Sequence, residues 1–296
     1  MKRKMQFFTG FVVFLFLLMA ACSPADEQAT GEESFGEAVN FTITGIDPGA
    51  GIMEQTERAL SEYGLENWTV QESSGAAMTA ELERAIAKEE AIIVTGWIPH
   101  WKFFRYDLKI LDDPKKVYGD EGKIHTLVRK GLKEDLPGAY TFFSQFHWEP
   151  EHMQEVMLKI AEGMPEEEAA AEWVQAHNEL VQSWIDGVEP GNGAKLTMPY
   201  VAWDDIIAST NVVKYVLEEK LDYEVDIVQV EPGPMFASVA EGSADAMIGA
   251  WLPDTHAAYY AEYEGQFEDL GVNLTGTRNG LVVPDYVEID SIEDLQ

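Results

Sequence analysis

The sequence predicts an α/β protein of two lobes, each a mostly parallel sheet flanked by helices, with the chain crossing between the lobes. Three observations lead there. A β-α-β-α-β order can be read twice along the 296 residues. Both copies close on the same local design, a short apolar run followed by Trp-x-Pro. Residues 91–95 lead into Gly96-Trp97-Ile98-Pro99-His100, and residues 246–250 lead into Trp251-Leu252-Pro253-Asp254-Thr255-His256. Two later segments, 123–128 and 278–283, also match and read as strands that pass to the opposite lobe. Repeated units of this order bury helices against parallel sheets.

The amino terminus stands apart. Met1-Lys2-Arg3-Lys4 is basic and residues 11–21 are apolar, the pattern of a secretory signal over residues 1–21. The run is short for a membrane span, which needs about 20 apolar residues. It ends in Leu18-Met19-Ala20-Ala21-Cys22, a bacterial lipobox that makes Cys22 the expected site of lipid attachment after cleavage. A single cysteine fits an exported chain without disulfides and excludes a cysteine nucleophile or multi-cysteine metal site. Residues 22–38 are rich in Ser, Pro, Gly, Ala and acid, and read as a flexible tether. The rest is long enough for two lobes. Lobe I is expected over 39–119 plus 277–296, and lobe II over 120–276.

Acid dominates the composition, with 53 Asp+Glu against 20 Lys+Arg and a formal net charge of −33. Phosphate recognition needs clustered cations, so a nucleic-acid partner is excluded. The charge itself reads as a solvated surface that salt would screen.

In the first copy, residues 41–44 form a strand, residues 45–51 a Gly- and Pro-rich loop, and residues 53–63 a helix. A strand over 68–70, a helix capped by Ser73-Ser74 and running through Ile86, and the strand 91–95 complete it. In the second copy a strand over 196–202 leads to the loop Trp203-Asp204-Asp205 and a helix through 212–219. The strand 225–230, a helix through Val239 and the strand 246–250 follow. Asp47 and Asp204 occupy equivalent places. Between the copies, residues 151–163 and 165–185 are helical, with Trp173 and Trp184 as core residues.

Open α/β sheets bind ligands at the carboxyl ends of their strands. The groups gathered there are Trp97, Trp203 and Trp251, with His256 and the backbone N–H groups of Gly45 and Ile46. Three indole faces suit a quaternary ammonium, which has no N–H to donate. Each favourable ring contributes about 0.5–2 kcal/mol. His256 and the N–H groups before the first helix suit an anion. An aromatic trap beside an anion corner describes a zwitterion site. His100 supports the trap loop or simply caps it. His125 and His177 read as structural. His147 and His152 lack the i,i+4 spacing of a helical metal pair, so no metal is expected. No Gly-x-Ser-x-Gly elbow or cofactor fingerprint is present, so neither an enzyme nor a cofactor is expected.

Several stretches carry a resemblance. They are residues 44–53 (Thr-Gly-Ile-Asp-Pro-Gly-Ala-Gly-Ile-Met), Thr95-Gly96-Trp97 with Pro99-His100-Trp101, and Tyr200-Val201-Ala202-Trp203-Asp204. Ile207-Ala208-Ser209-Thr210-Asn211 and Ala250-Trp251-Leu252-Pro253 with Thr255-His256 complete the set. From about Asn40 to Gln296 the sequence resembles the substrate-binding lipoproteins of glycine betaine ABC importers, the OpuAC type. The resemblance implies a two-lobed periplasmic-binding-protein fold, type II-like, that closes on its ligand. It implies a tryptophan prism of Trp97, Trp203 and Trp251 around the trimethylammonium group. It also implies carboxylate contacts from the N–H groups of Gly45 and Ile46 and from His256. The expected role is a monomeric extracytoplasmic receptor, lipid-anchored through Cys22, that delivers glycine betaine or proline betaine to an ABC permease with its ATPase subunits. Carnitine, choline or a sulfonium compound is the alternative ligand. Ile98 and Asp254 depart from the family pattern, and Asp254 is expected to place a charge near the anion corner.

Overall fold

A computed structural model describes residues 34–296. The signal segment 1–21, Cys22 and the tether through residue 33 lie outside the described residues. The last part of the expected tether is ordered. Ser34 and Glu37 form a reciprocal capping box on the one-turn helix α1 (Phe35–Ala38). Phe35 then stacks on Trp68, ring centroids 6.2 Å apart. A buried aromatic thus fixes residues that composition alone assigns to a linker.

The first copy folds as β1 (Thr42–Thr44), α2 (Gly51–Glu62), β2 (Thr69–Gln71), α3 (Gly75–Ile86) and β3 (Val94–Ile98). β1 lies parallel to both β2 and β3. The Ser74 side chain accepts the Ala77 N–H at 3.2 Å and starts α3 where the sequence places its cap. The chain continues through α4 (Lys102–Arg105), β4 (Leu108–Ile110) and β5 (Gly122–Arg129). A helical layer follows: α5 (Leu132–Asp135), α6 (Pro137–Gln145), α7 (Pro150–Ala161), α8 (Glu166–Ala176) and α9 (Asn178–Ile185).

The helix expected over 165–185 is broken at His177. Trp173 and Trp184 are both fully buried and stacked with centroids 5.9 Å apart. Eleven residues of unbroken helix would separate them by about 16 Å along the axis. The break is what lets both rings enter one core.

The second copy folds as β6 (Ala194–Tyr200), α10 (Asp204–Glu219), β7 (Tyr223–Gln229), α11 (Pro232–Ala240) and β8 (Ala246–Leu252). α12 (Ala257–Glu262), β9 (Phe267–Pro284) and a short 3₁₀ turn (Ile292–Leu295) end the chain. The main sheet has the order β2-β1-β3-β9-β5-β8, with β4 also on β9, while β6 and β7 form a separate parallel pair. The main sheet is more antiparallel than the repeat suggests, because β9 returns against every strand it meets. From Phe267 to Thr277 it pairs with β5, and from Arg278 to Pro284 with β3 and β4. Its eighteen residues therefore run through the whole molecule. Among the described residues no helix is long and apolar enough to cross a membrane.

Candidate ligand-binding site

The strands set the site. Trp97 and Trp251 are the penultimate residues of β3 and β8, so they fall inside the strands rather than just beyond them. Trp203 is the residue before the first turn of α10. The three indoles border one cavity. Ile46, the start of α2 (Ala50, Gly51, Ile52), Asp205, Thr255, His256 and Asn279 complete its lining. Asn279 faces Trp97 across the β3–β9 ladder and donates to Gln55 Oε1 at 2.9 Å and Thr255 Oγ1 at 2.7 Å.

Every indole N–H in this region is bound to a carboxylate. Trp203 donates to Asp47 at 3.0 Å and Trp101 to Asp204 at 3.0 Å. Trp97 and Trp251 donate to the two oxygens of Asp205, at 3.2 and 3.1 Å. With their polar edges engaged, the indoles offer the cavity carbon faces. Such faces attract a soft cation and provide no acceptor for a strongly hydrated one.

The opposite character gathers at His256. Its ring is fully buried, and Nδ1 accepts the Trp251 backbone N–H at 3.0 Å. Burial pushes its pKa down to about 3, so the imidazole is neutral. With Nδ1 an acceptor, the single proton sits on Nε2. That buried Nε2 has no hydrogen-bond partner among the described residues. The start of α2, whose cap residue Ala50 supplies no side-chain acceptor, adds the free N–H groups of a helix terminus.

The two backbone donors expected from the sequence separate. Ile46 lines the cavity, and its N–H meets only the Met53 thioether at 3.3 Å, a weak acceptor. Gly45 does not line it. Its N–H donates to the Gln71 carbonyl at 2.8 Å, which extends the ladder beyond β1. Asp254 lies outside the cavity lining, against Gly119. His147 Nδ1 is bonded to the Gln145 carbonyl, and His152 closes the α7 cap. His177 stacks on Trp173, and His125 pairs with Asp269.

The sequence matches the OpuAC family, the substrate binding domain of ABC-type glycine betaine transport systems, over residues 24–176 and 194–296. The chain belongs to that family. The glycine betaine/carnitine transport binding protein GbuC of Listeria monocytogenes is 49% identical over 291 residues, 97% of each chain. Lactococcal OpuAC, solved in a closed-liganded conformation with glycine betaine, is 43% identical over 49% of this chain and 58% of its own, with a TM-score of 0.46. The glycine betaine/L-proline-binding protein ProX of Borrelia burgdorferi is 38% identical over 50% of this chain and 57% of its own, with a TM-score of 0.47.

This OpuAC member also carries buried charge that sequence reasoning missed. Asp205 is 1% exposed, and burial pushes its carboxyl up to about 7. Lys102 is fully buried, and burial pushes its amine down to about 7. Lys102 is not part of the cavity lining, so its Nζ stacks on Trp97 from outside, 4.6 Å from the ring centroid. His100 is buried too, with Nε2 3.3 Å from Asp204 Oδ2 and Nδ1 accepting the Lys102 N–H. Burial lowers its pKa to about 4, so His100 is neutral, and its Nε2 lies near Asp204 without meeting hydrogen-bond geometry. Burial works against the Asp204 charge, yet nearby His100 and the bond from Trp101 hold its carboxyl below the usual range.

Proposed function

We propose that this chain is the extracytoplasmic receptor of an ABC importer and that its cavity takes glycine betaine or a close zwitterionic relative. The observation that carries the reading is the pairing of three carboxylate-bound indoles with the unpartnered Nε2–H of His256 in one cavity. The quaternary ammonium sits against the Trp97, Trp203 and Trp251 faces. The carboxylate accepts from His256 Nε2, from the Ile46 N–H and from the first turn of α2. Gly45 is left out of this set, because its N–H is already donated.

Lobe I is residues 39–119 plus 277–296 and lobe II is residues 120–276, meeting where β9 exchanges partners. Trp97 and Ile46 then belong to one lobe, and Trp203, Trp251 and His256 to the other. A ligand touching both favours the closed arrangement. The protein is a monomer held to the outer face of the membrane by lipid on Cys22, and it hands its ligand unchanged to a permease. Recovery of unmodified glycine betaine by NMR after incubation checks that last point.

The test is a calorimetric titration with glycine betaine, proline betaine, carnitine and choline. The two zwitterionic betaines should bind and choline, lacking the carboxylate, should bind far more weakly. No binding by any of them would overturn the reading. Carnitine is the second candidate, because the 49% identical relative is a glycine betaine/carnitine binding protein.

His256→Ala is expected to weaken glycine betaine binding by about tenfold or more. A hydrogen bond to a charged group contributes about 1.5–3 kcal/mol. Choline affinity should change little. An equal loss for both ligands would remove His256 from the anion corner.

Affinity should also rise with pH through neutrality. A bound cation favours ionised Asp205 and a neutral Lys102, the deprotonated form of each. Both groups titrate at about 7, while His100 and His256 stay neutral above pH 5, with pKa values of about 4 and 3. Binding therefore releases protons, and the dissociation constant should be severalfold higher at about pH 6 than at about pH 8. Titrations in two buffers of different ionisation enthalpy measure the released protons directly. A flat profile would contradict this assignment.

A further inference from the structure

β3 and β8 never touch in the sheet, since β9 and β5 lie between them. Their tryptophans are nevertheless joined. Asp205, in the first turn of α10, accepts Trp97 Nε1–H on one oxygen at 3.2 Å and Trp251 Nε1–H on the other at 3.1 Å. We propose that Asp205 is the positioning residue of the cation trap, one carboxylate that sets two of its three walls at a fixed separation and locks them when the two halves of the molecule meet. This rests on the reading of the cavity as a quaternary-ammonium site.

Three features support the assignment. The carboxylate is buried, and among the described residues no cationic side chain lies within ion-pair distance of it. A buried carboxylate without a cation at contact distance is costly to keep. Asp205 also lines the cavity, so a quaternary ammonium held there supplies the missing positive charge without displacing either indole. Second, the start of a helix favours a carboxylate, and being on the backbone of α10 makes its position rigid. Third, an indole N–H bonded to an anion shifts electron density onto the ring. The face that a cation meets becomes more negative. The third wall is separate, since Trp203 donates to Asp47. Lys102 is the counterweight. Its ammonium stacks on Trp97, the same ring that donates to Asp205.

The distinguishing substitution is Asp205→Asn. An amide has one acceptor, and its NH₂ opposes the other indole N–H. Calorimetry with glycine betaine should show a loss of tenfold or more. Trp97→Phe should then cost less affinity in the Asp205→Asn background than alone, because no N–H remains to be orphaned. Trp203→Phe should cost the same in both backgrounds. NMR of the unsubstituted protein gives a readout independent of whether the variant folds. The indole N–H signals of Trp97 and Trp251 should lie downfield together in the presence of glycine betaine. Wild-type affinity in Asp205→Asn, strictly additive losses for the Trp97 pair, or two unshifted signals would overturn the assignment while leaving the ligand reading standing. Failure of the unsubstituted protein to bind any quaternary ammonium would overturn both.

Discussion

Trp251→Ala is expected to weaken glycine betaine binding by about thirtyfold, measured by calorimetry. A desolvated cation–π contact contributes up to about 2 kcal/mol, and about 1.4 kcal/mol corresponds to tenfold in affinity. The substitution also takes a hydrogen bond from Asp205, leaving one buried carboxylate oxygen unpaired. Trp251→Phe, which keeps an aromatic face and most of the volume, should lose a smaller share. A thermal melt of each variant separates lost binding from lost packing, since Trp251 is 5% exposed and contributes to the core. Unchanged affinity in the alanine variant would remove Trp251 from the trap.

Gly51→Ala is expected to weaken binding of the same ligand by between about fivefold and somewhat over a hundredfold, through overpacking worth about 1–3 kcal/mol. Gly51 opens α2, and a Cβ there would collide with the carbonyl of Thr255, which follows β8. Its own helix would accept alanine readily, gaining up to about 1 kcal/mol of propensity. The conflict lies between α2 and the segment after β8, which are distant in sequence. Gly51 and Thr255 both line the cavity, so the shift that relieves the collision should reshape it, and a thermal melt of the variant separates that effect from lost stability. An alanine variant that binds as tightly as the unsubstituted protein would show that Gly51 and Thr255 need not approach so closely.

The parts of the site legible in the sequence are those announced locally. Trp97, Trp203, Trp251 and His256 follow apolar runs in repeated order, and all line the cavity. Ser74 caps α3 as its pattern suggests. What escaped depends on partners distant in sequence. Asp205 reads as part of the loop that begins at Trp203, and only the arrival of Trp97 from β3 and Trp251 from β8 engages its carboxylate. No sequence pattern singles out Lys102, yet its Nζ lies over the Trp97 ring, beside a glycine whose Cβ would crowd it. The Gly45 N–H looks free until β2 supplies the Gln71 carbonyl. The break at His177 has neither glycine nor proline to mark it. The first part of β9 carries acids and two glycines at positive φ, Gly271 and Gly276, which a pattern reading takes for a loop. Register shifts against β5 absorb these irregularities.

β9 also dictates an order of assembly. It is the last strand in the sequence but stands in the middle of the sheet, between β3 and β5. Residues 94–98 wait for residues 278–282 before their ladder can form. Contacts so remote in sequence slow folding, because the chain must lose entropy before they reward it. Until β9 inserts, β3 and β5 are both open edges, the kind of surface on which chains aggregate. The strand that joins β3 to β5 is thus the one whose delay leaves both of them exposed.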